Sequence, residues 1–396
     1  MEEEYQVLLT LGALLVLGPF LKSLMLRIRV PALICYILLG FLISLLDAYW
    51  AFITPGFEST FSILAQVGVV ALLFRVGLTS HTDKLLEKLP SASLIWVGDV
   101  LTNLVAGYVV SRYALNLSLE TSLVVATAFS ATSVAVSVSV WSELGKLRSD
   151  TGHMLVDVAE LDDLSGVLLL AILLAIIPAL QSGNDGLFSM VGTTSLMVLL
   201  KLGIFITGCF LFAHYMEARF TRFSRKVERS ITDLTITILG AGLAIAVIAG
   251  YLGFSLAIGA LFAGLAFSRD PQAVQTDGRF AYFYEFFTPF FFIHIGMQVD
   301  PGAVYSAFGL GMVLFLVAAL AKFVGVAGVA GLLMNKKDAM LLGVSMIPRA
   351  EIALVVIYQC SKVGEDIVSP EVFAAMVVVS LASSIFAPLL LRSLLR

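Results

Sequence analysis

The stretch MLVDVAELDDLSGVLLLAILLAIIPAL, residues 154–180, decides how the rest of the chain is read. It is long enough to cross a bilayer, for which about 20 apolar residues suffice. Yet Asp162 and Asp163 stand side by side in its interior. At mid-membrane each charged carboxylate costs about 2.5–3.5 kcal/mol on insertion scales. A chain keeps such a pair only with a compensating partner: a cation, a proton or a buried base. Lys322, in the middle of another apolar run, is the base this sequence offers. Two acids and a base at membrane depth point to the movement of cations and protons.

Working outward, hydrophobic residues make up 59% of the 396 and charged residues 13%. A soluble enzyme carries about twice that charge, so the class is an all-α polytopic membrane protein. Cys35, Cys209 and Cys360 lie in separate apolar runs, with neither disulfide nor metal-ligand spacing. The N-terminal MEEEY runs straight into an apolar stretch without a small-residue cleavage site, which reads as a first span and not a signal peptide. Nucleophile–base sets, metal clusters and phosphate loops are not found, so no enzyme, cofactor or nucleic-acid partner is expected.

Hydropathy predicts thirteen spans: 6–28, 31–50, 60–79, 90–112, 119–142, 151–180, 187–216, 231–250, 252–268, 279–299, 304–334, 338–360 and 370–393. With the N-terminus outside, eighteen of the 24 lysines and arginines fall at the cytoplasmic face. Arg112 and Lys362 lie outside, and Arg75, Lys201, Lys322 and Arg349 fall within spans. One miscounted helix would flip every later loop, so this bias supports the count and places the C-terminus in the cytoplasm. Thirteen is also six, one and six. The second six, from Ile231, would then run upside down relative to the first, as inverted repeats joined by a linker helix. A bundle without internal symmetry has the same hydropathy.

Polar residues recur at one depth. The fifth span carries Thr127, Ser130, Thr132, Ser133, Ser137 and Ser139, a run that suits close helix packing as well as an ion path. The twelfth contains Met346-Ile-Pro348-Arg349-Ala-Glu351, where proline predicts a break near Ile347. Snorkelling serves only span ends, so Arg349 and Glu351 read as a site or its bracing. Asp162 and Asp163 lie roughly 17 Å into their span and point about 100° apart, so one faces the base and the other an aqueous cavity. Asp99, with Thr102 and Asn103, faces the bundle as a supporting partner. Glu160 and Asp157 pair with Arg349 or line an inner funnel. Arg75 snorkels, Lys201 has no assigned partner, and His81, His153, His214 and His294 are scattered.

These segments resemble the monovalent cation:proton antiporter superfamily, in particular its cation:proton antiporter-2 family. The resemblance rests on Asp162-Asp163-Leu-Ser-Gly, Ala-Lys322-Phe-Val-Gly and Met346-Ile-Pro-Arg349-Ala-Glu351. Val30-Pro-Ala, Leu73-Phe-Arg75-Val-Gly-Leu, Ala131-Thr-Ser-Val, Gly259-Ala-Leu-Phe-Ala-Gly264 and Pro289-Phe-Phe-Phe occur in the family's order. It implies a homodimer among membrane lipids, with scaffold helices in 1–89 and 231–303 and a mobile core in 90–180 and 304–396. Residues 181–230 would hold the linker helix and a basic cytoplasmic loop. The fifth and twelfth helices would be broken and crossed.

By the same resemblance Asp163 is the ion-binding carboxylate, Asp162 its neighbour and Lys322 the lysine paired with Asp162. Thr132, with Ser133 beside it, holds the broken-helix position near the ion, and Arg349 and Glu351 match an Arg-Gly-Glu element. The implied cargo is Na+, with Li+ or K+ as variants, held by Asp163 and Asp162 in exchange for H+. The implied site of action is a bacterial inner membrane. Alanine at 350 and the acid at Glu160 depart from the family pattern. The chain ends three residues after the last span, so no cytosolic nucleotide-binding domain is expected, which weighs against a potassium-efflux system. A sodium-coupled organic-anion symporter is a further alternative, against which the buried lysine counts.

Overall fold

The computed structural model describes residues 2–27, 31–50, 53–79, 89–181, 187–227, 231–252, 254–268 and 278–395. The regular structure among them is helical, without a strand. The chain opens with α1 (Glu2–Arg27), α2 (Ala32–Trp50), α3 (Pro55–Thr79) and α4 (Leu89–Val109), which ends in a π turn, Val110–Ala114. Next come α5 (Leu119–Ser130), α6 (Val134–Glu143) and α7 (Asp150–Gln181). Then follow α8 (Leu187–Leu211) with a π turn at Phe212–Met216, α9 (Glu217–Val227), α10 (Ile231–Tyr251), α11 (Leu256–Phe267) and α12 (Gly278–Met297). The last are α13 (Val304–Leu333), α14 (Lys336–Ser345), α15 (Glu351–Ser361) and α16 (Pro370–Leu395). Among the described residues six helices are long and apolar enough to cross a membrane.

Several boundaries differ from the hydropathy reading, each for a local reason. The third helix begins at Pro55, because proline suits a first helical position and Thr54 Oγ1 accepts the Phe57 N–H at 3.2 Å. The ninth predicted span starts only at Leu256, where the Ser255 side chain caps the Ile258 N–H. Residues 217–227, expected as a basic loop, form α9: the chain passes through a π turn without a breaker and stays helical. Arg29, His81, Lys84, Lys88, Arg229 and Arg269 lie outside the described residues.

The chain divides into two compact units, one of residues 1–62, 88–166 and 292–396, the other of 63–87 and 167–291. In the second, Arg75 lies 4.1 Å from the centre of the Tyr284 ring and Lys201 is exposed on α8. In the first, α13 packs against α4 and α16. Trp141, Leu155, Val326, Leu342 and Leu391 share a buried apolar cluster. His294 is buried there beside Phe61 and Tyr358, while His153 is exposed.

Two glycines set the spacing between α4 and α13. A methyl on Gly325 would lie 3.0 Å from Thr102 Cβ and 3.1 Å from Asp99 Cα, and one on Gly98 would lie 2.4 Å from Val329 Cγ2. Small residues let membrane helices approach until backbone meets backbone. Gly325→Leu is therefore expected to lower stability by about 1–3 kcal/mol through overpacking. Thermal unfolding of the detergent-solubilised protein checks it.

Candidate functional site

Two helices break in the first unit. Between α5 and α6 the chain is extended at Ala131 (φ −73°, ψ 145°) and Ser133 (φ −107°, ψ 95°). Between α14 and α15, Met346 to Ala350 leave the helix, as Pro348 requires. The broken segments meet: the Ser133 N–H donates to the Pro348 carbonyl at 2.7 Å. Ser137 Oγ donates to the Ser345 carbonyl at 2.6 Å, and the Trp141 indole N–H to Ser345 Oγ at 2.9 Å.

A helix that stops leaves carbonyls without partners at its C-terminal end, where the macrodipole favours positive charge. Both buried cations answer that demand. Arg349 donates from Nε and Nη2 to the Phe129 carbonyl, at 3.1 and 2.8 Å, and from Nη1 to the Ile347 carbonyl at 3.1 Å. Its Nη2 also reaches Asn103 Oδ1 at 2.6 Å. Lys322 Nζ donates to the Ser130 carbonyl at 2.8 Å. At the opposite polarity, Glu351 lies in the first turn of α15 and accepts from Ser133 Oγ.

Lys322 also makes two ion pairs, with Asp162 Oδ2 at 2.8 Å and Asp99 Oδ2 at 2.6 Å, and all three side chains are 0% exposed. Thr132 Oγ1 donates to the same Asp162 oxygen. The other, Oδ1, is buried without a hydrogen-bond partner. Asp163 is half-buried, and among the described residues no group hydrogen-bonds to its carboxylate. Ser165 Oγ, which accepts from the Trp96 indole at 3.0 Å, donates to the Asp162 carbonyl at 2.9 Å.

Asp162, Asp163, Thr132, Ser133, Lys322 and Glu351 thus fall around the two breaks. Asp99, expected as a supporting partner, contacts Lys322 directly and is held by Asn103 one turn along α4. The four-residue spacing of Asp99 and Asn103 was the available signal, since i and i+4 share a face. Two expectations need correction. Arg349 pairs with neither Glu160 nor Asp157, both half-buried on α7, because helix-end carbonyls and Asn103 take its donors. Nor do Arg349 and Glu351 pair with each other: one serves the end of α5, the other Ser133.

Residues 12–396 match the family described as sodium/hydrogen exchanger, transmembrane. The chain belongs to that family. As a sodium/hydrogen exchanger family member it is an integral, multi-pass membrane protein. The Na+/H+ antiporter of Enterococcus hirae is 25% identical over 92% of this chain and 92% of its own. The Na+/H+-K+ antiporter GerN of Bacillus cereus is 25% identical over 83% of this chain and 82% of its own. The structure of the sodium proton antiporter MjNhaP1 from Methanocaldococcus jannaschii superposes with a TM-score of 0.75, covering 99% of this exchanger and 98% of that chain at 18% identity, a likeness of fold.

Arginine and lysine are not interchangeable where several acceptors share one planar cation. Arg349→Lys is expected to lower stability by about 1.5–3 kcal/mol, the worth of one charged hydrogen bond. Arg349→Met, which leaves Asn103 Oδ1 and the Phe129 carbonyl without this donor, loses more. Melting temperatures of the purified variants check the order.

Proposed function

We propose that this exchanger carries a monovalent cation, Na+ in the first instance, in one direction and H+ in the other, by alternating access of a mobile core to a site at Asp163 and Asp162. One observation carries the reading: Asp162 gives one oxygen to Lys322 and Thr132 and keeps the other unpartnered, next to an Asp163 carboxylate without a hydrogen bond. Such oxygens suit a hard alkali cation. A carboxylate that holds either a proton or a cation, and not both, couples the two fluxes through competition alone. The Na+/H+ antiporter of E. hirae and the Na+/H+-K+ antiporter of B. cereus support the same reading.

In the proposed architecture thirteen spans form two inverted six-helix repeats about α8, with the N-terminus outside and the C-terminus in the cytoplasm. The two breaks, one in each half and hydrogen-bonded to each other, support a repeat with a site at its centre. Helices in 90–180 and 304–396 would be the moving core, and those in 1–89 and 231–303 the scaffold of a homodimer in a bacterial inner membrane. Glu160 and Asp157 would draw cations toward Asp163. K+ is the second reading for the cargo, favoured by the B. cereus relative, a Na+/H+-K+ antiporter. An organic-anion symporter is disfavoured by a site whose lysine is saturated by two carboxylates and a carbonyl.

In proteoliposomes carrying an interior pH dye, added Na+ is expected to change the signal, with Li+ and K+ giving the selectivity. Asp163→Asn should abolish this response while elution volume and melting temperature stay as in the parent protein. Retained transport would refute the assignment. Binding that releases a proton weakens as pH falls. The half-saturating cation concentration should therefore rise about tenfold for each unit of acidification on the acid limb.

A further inference from the structure

The Lys322 ammonium has three donors, and all three are used, on Asp99 Oδ2, Asp162 Oδ2 and the Ser130 carbonyl. The two carboxylates differ in what else they can do. Asp99 is locked: Asn103 Nδ2 donates to its Oδ1 at 2.7 Å and to its backbone carbonyl at 2.8 Å. Asn103 is in turn held by Arg349 at 2.6 Å. Both Asp99 oxygens are therefore occupied, and the close approach of α4 and α13 at Gly325 fixes their distance to the lysine. Asp162 keeps a buried oxygen without a hydrogen-bond partner. One acid has both oxygens engaged; the other keeps one oxygen open to a cation.

This asymmetry bears on how many protons move. A buried lysine with a single carboxylate partner loses its counter-ion when that carboxylate turns to an arriving cation. A buried ammonium without a partner is costly enough to release its proton. Lys322 has a second carboxylate partner, Asp99 at 2.6 Å. Asp163 also interacts electrostatically with Asp162, Glu351, Lys322 and Glu160, and Arg349 with Asp99 and Asp162. At the cation site proposed above, Asp163 exchanges its proton directly for the cation: the Asp163 carboxyl plus M+ gives the carboxylate–M+ pair plus one H+. Asp162 remains a carboxylate and Lys322 an ammonium on both sides of the step.

We infer that Asp99 is a positioning residue that keeps Lys322 protonated through the whole cycle, so that one cation exchanges for one proton and no net charge crosses. The inference rests on the antiport reading above and goes beyond it by assigning the stoichiometry to Asp99.

The test uses the purified full chain in proteoliposomes whose voltage is set by K+ and valinomycin, with Na+ as the probe cation. The proton gradient at which flux vanishes is measured against a tenfold Na+ gradient. The expected null point is a tenfold proton gradient at every imposed voltage. A null point that moves with voltage, or that lies at roughly threefold at zero voltage as two-for-one exchange requires, overturns the inference and leaves antiport standing. Absence of proton movement driven by Na+, Li+ or K+ at every gradient overturns the antiport reading and this inference with it. Asp99→Asn is expected to make the null point voltage-dependent, and Asp99→Glu to restore voltage independence. A folded Asp99→Asn protein that keeps a voltage-independent null point refutes the role of Asp99. Should that variant not fold, the parent null point decides alone.

Discussion

A lysine ammonium enclosed by two carboxylates and a helix-end carbonyl, all away from water, is the constraint on which the rest of the first unit depends. Each member alone would be expensive to bury. Together they form a set in which the Lys322 donors are all satisfied and one acceptor, Asp162 Oδ1, is left over. Breaking such a set by removing one partner costs about 3–5 kcal/mol in buried pairs generally. The helices that carry the set are α4, α5, α7 and α13, so the ion pairs also fix how four helices stand about one point.

The broken helices make a second demand with the same solution. Interrupting α5 exposes carbonyl dipoles at its end, and interrupting the α14–α15 run creates a helix start needing negative charge. Arg349 and Lys322 serve the first and Glu351 the second. The charges that looked costly in the sequence therefore compensate backbone polarity as well as each other. Here the machinery for holding an ion and the machinery for breaking a helix are largely the same residues.

Much of this was legible because the membrane makes certain residues conspicuous. Asp162, Asp163, Lys322 and Arg349 stand out in apolar runs, and Pro348 announces its own break. What stayed hidden has a common cause. Hydropathy reports depth and not azimuth, so it could not place Asp99 within 2.6 Å of Lys322. Residue types are visible in a sequence, whereas carbonyls freed by an unwound helix are not. Arg349 was therefore matched with acids when its partners are mostly backbone. The break at 131–133 has no proline to declare it and was legible only through the family resemblance, and α9 was hidden by a charge pattern that also suits a loop.

Asp99 and Asp162 emerge from the ribosome well before their cation: Lys322 lies 160 residues beyond Asp162. At about 5–20 residues per second, that separation corresponds to a delay of roughly 8–32 seconds. During it, the two acids lack the cation that answers them in the finished fold. The ion pair then forms between segments delivered separately, which makes biogenesis a late docking of halves and not a stepwise threading of finished helices.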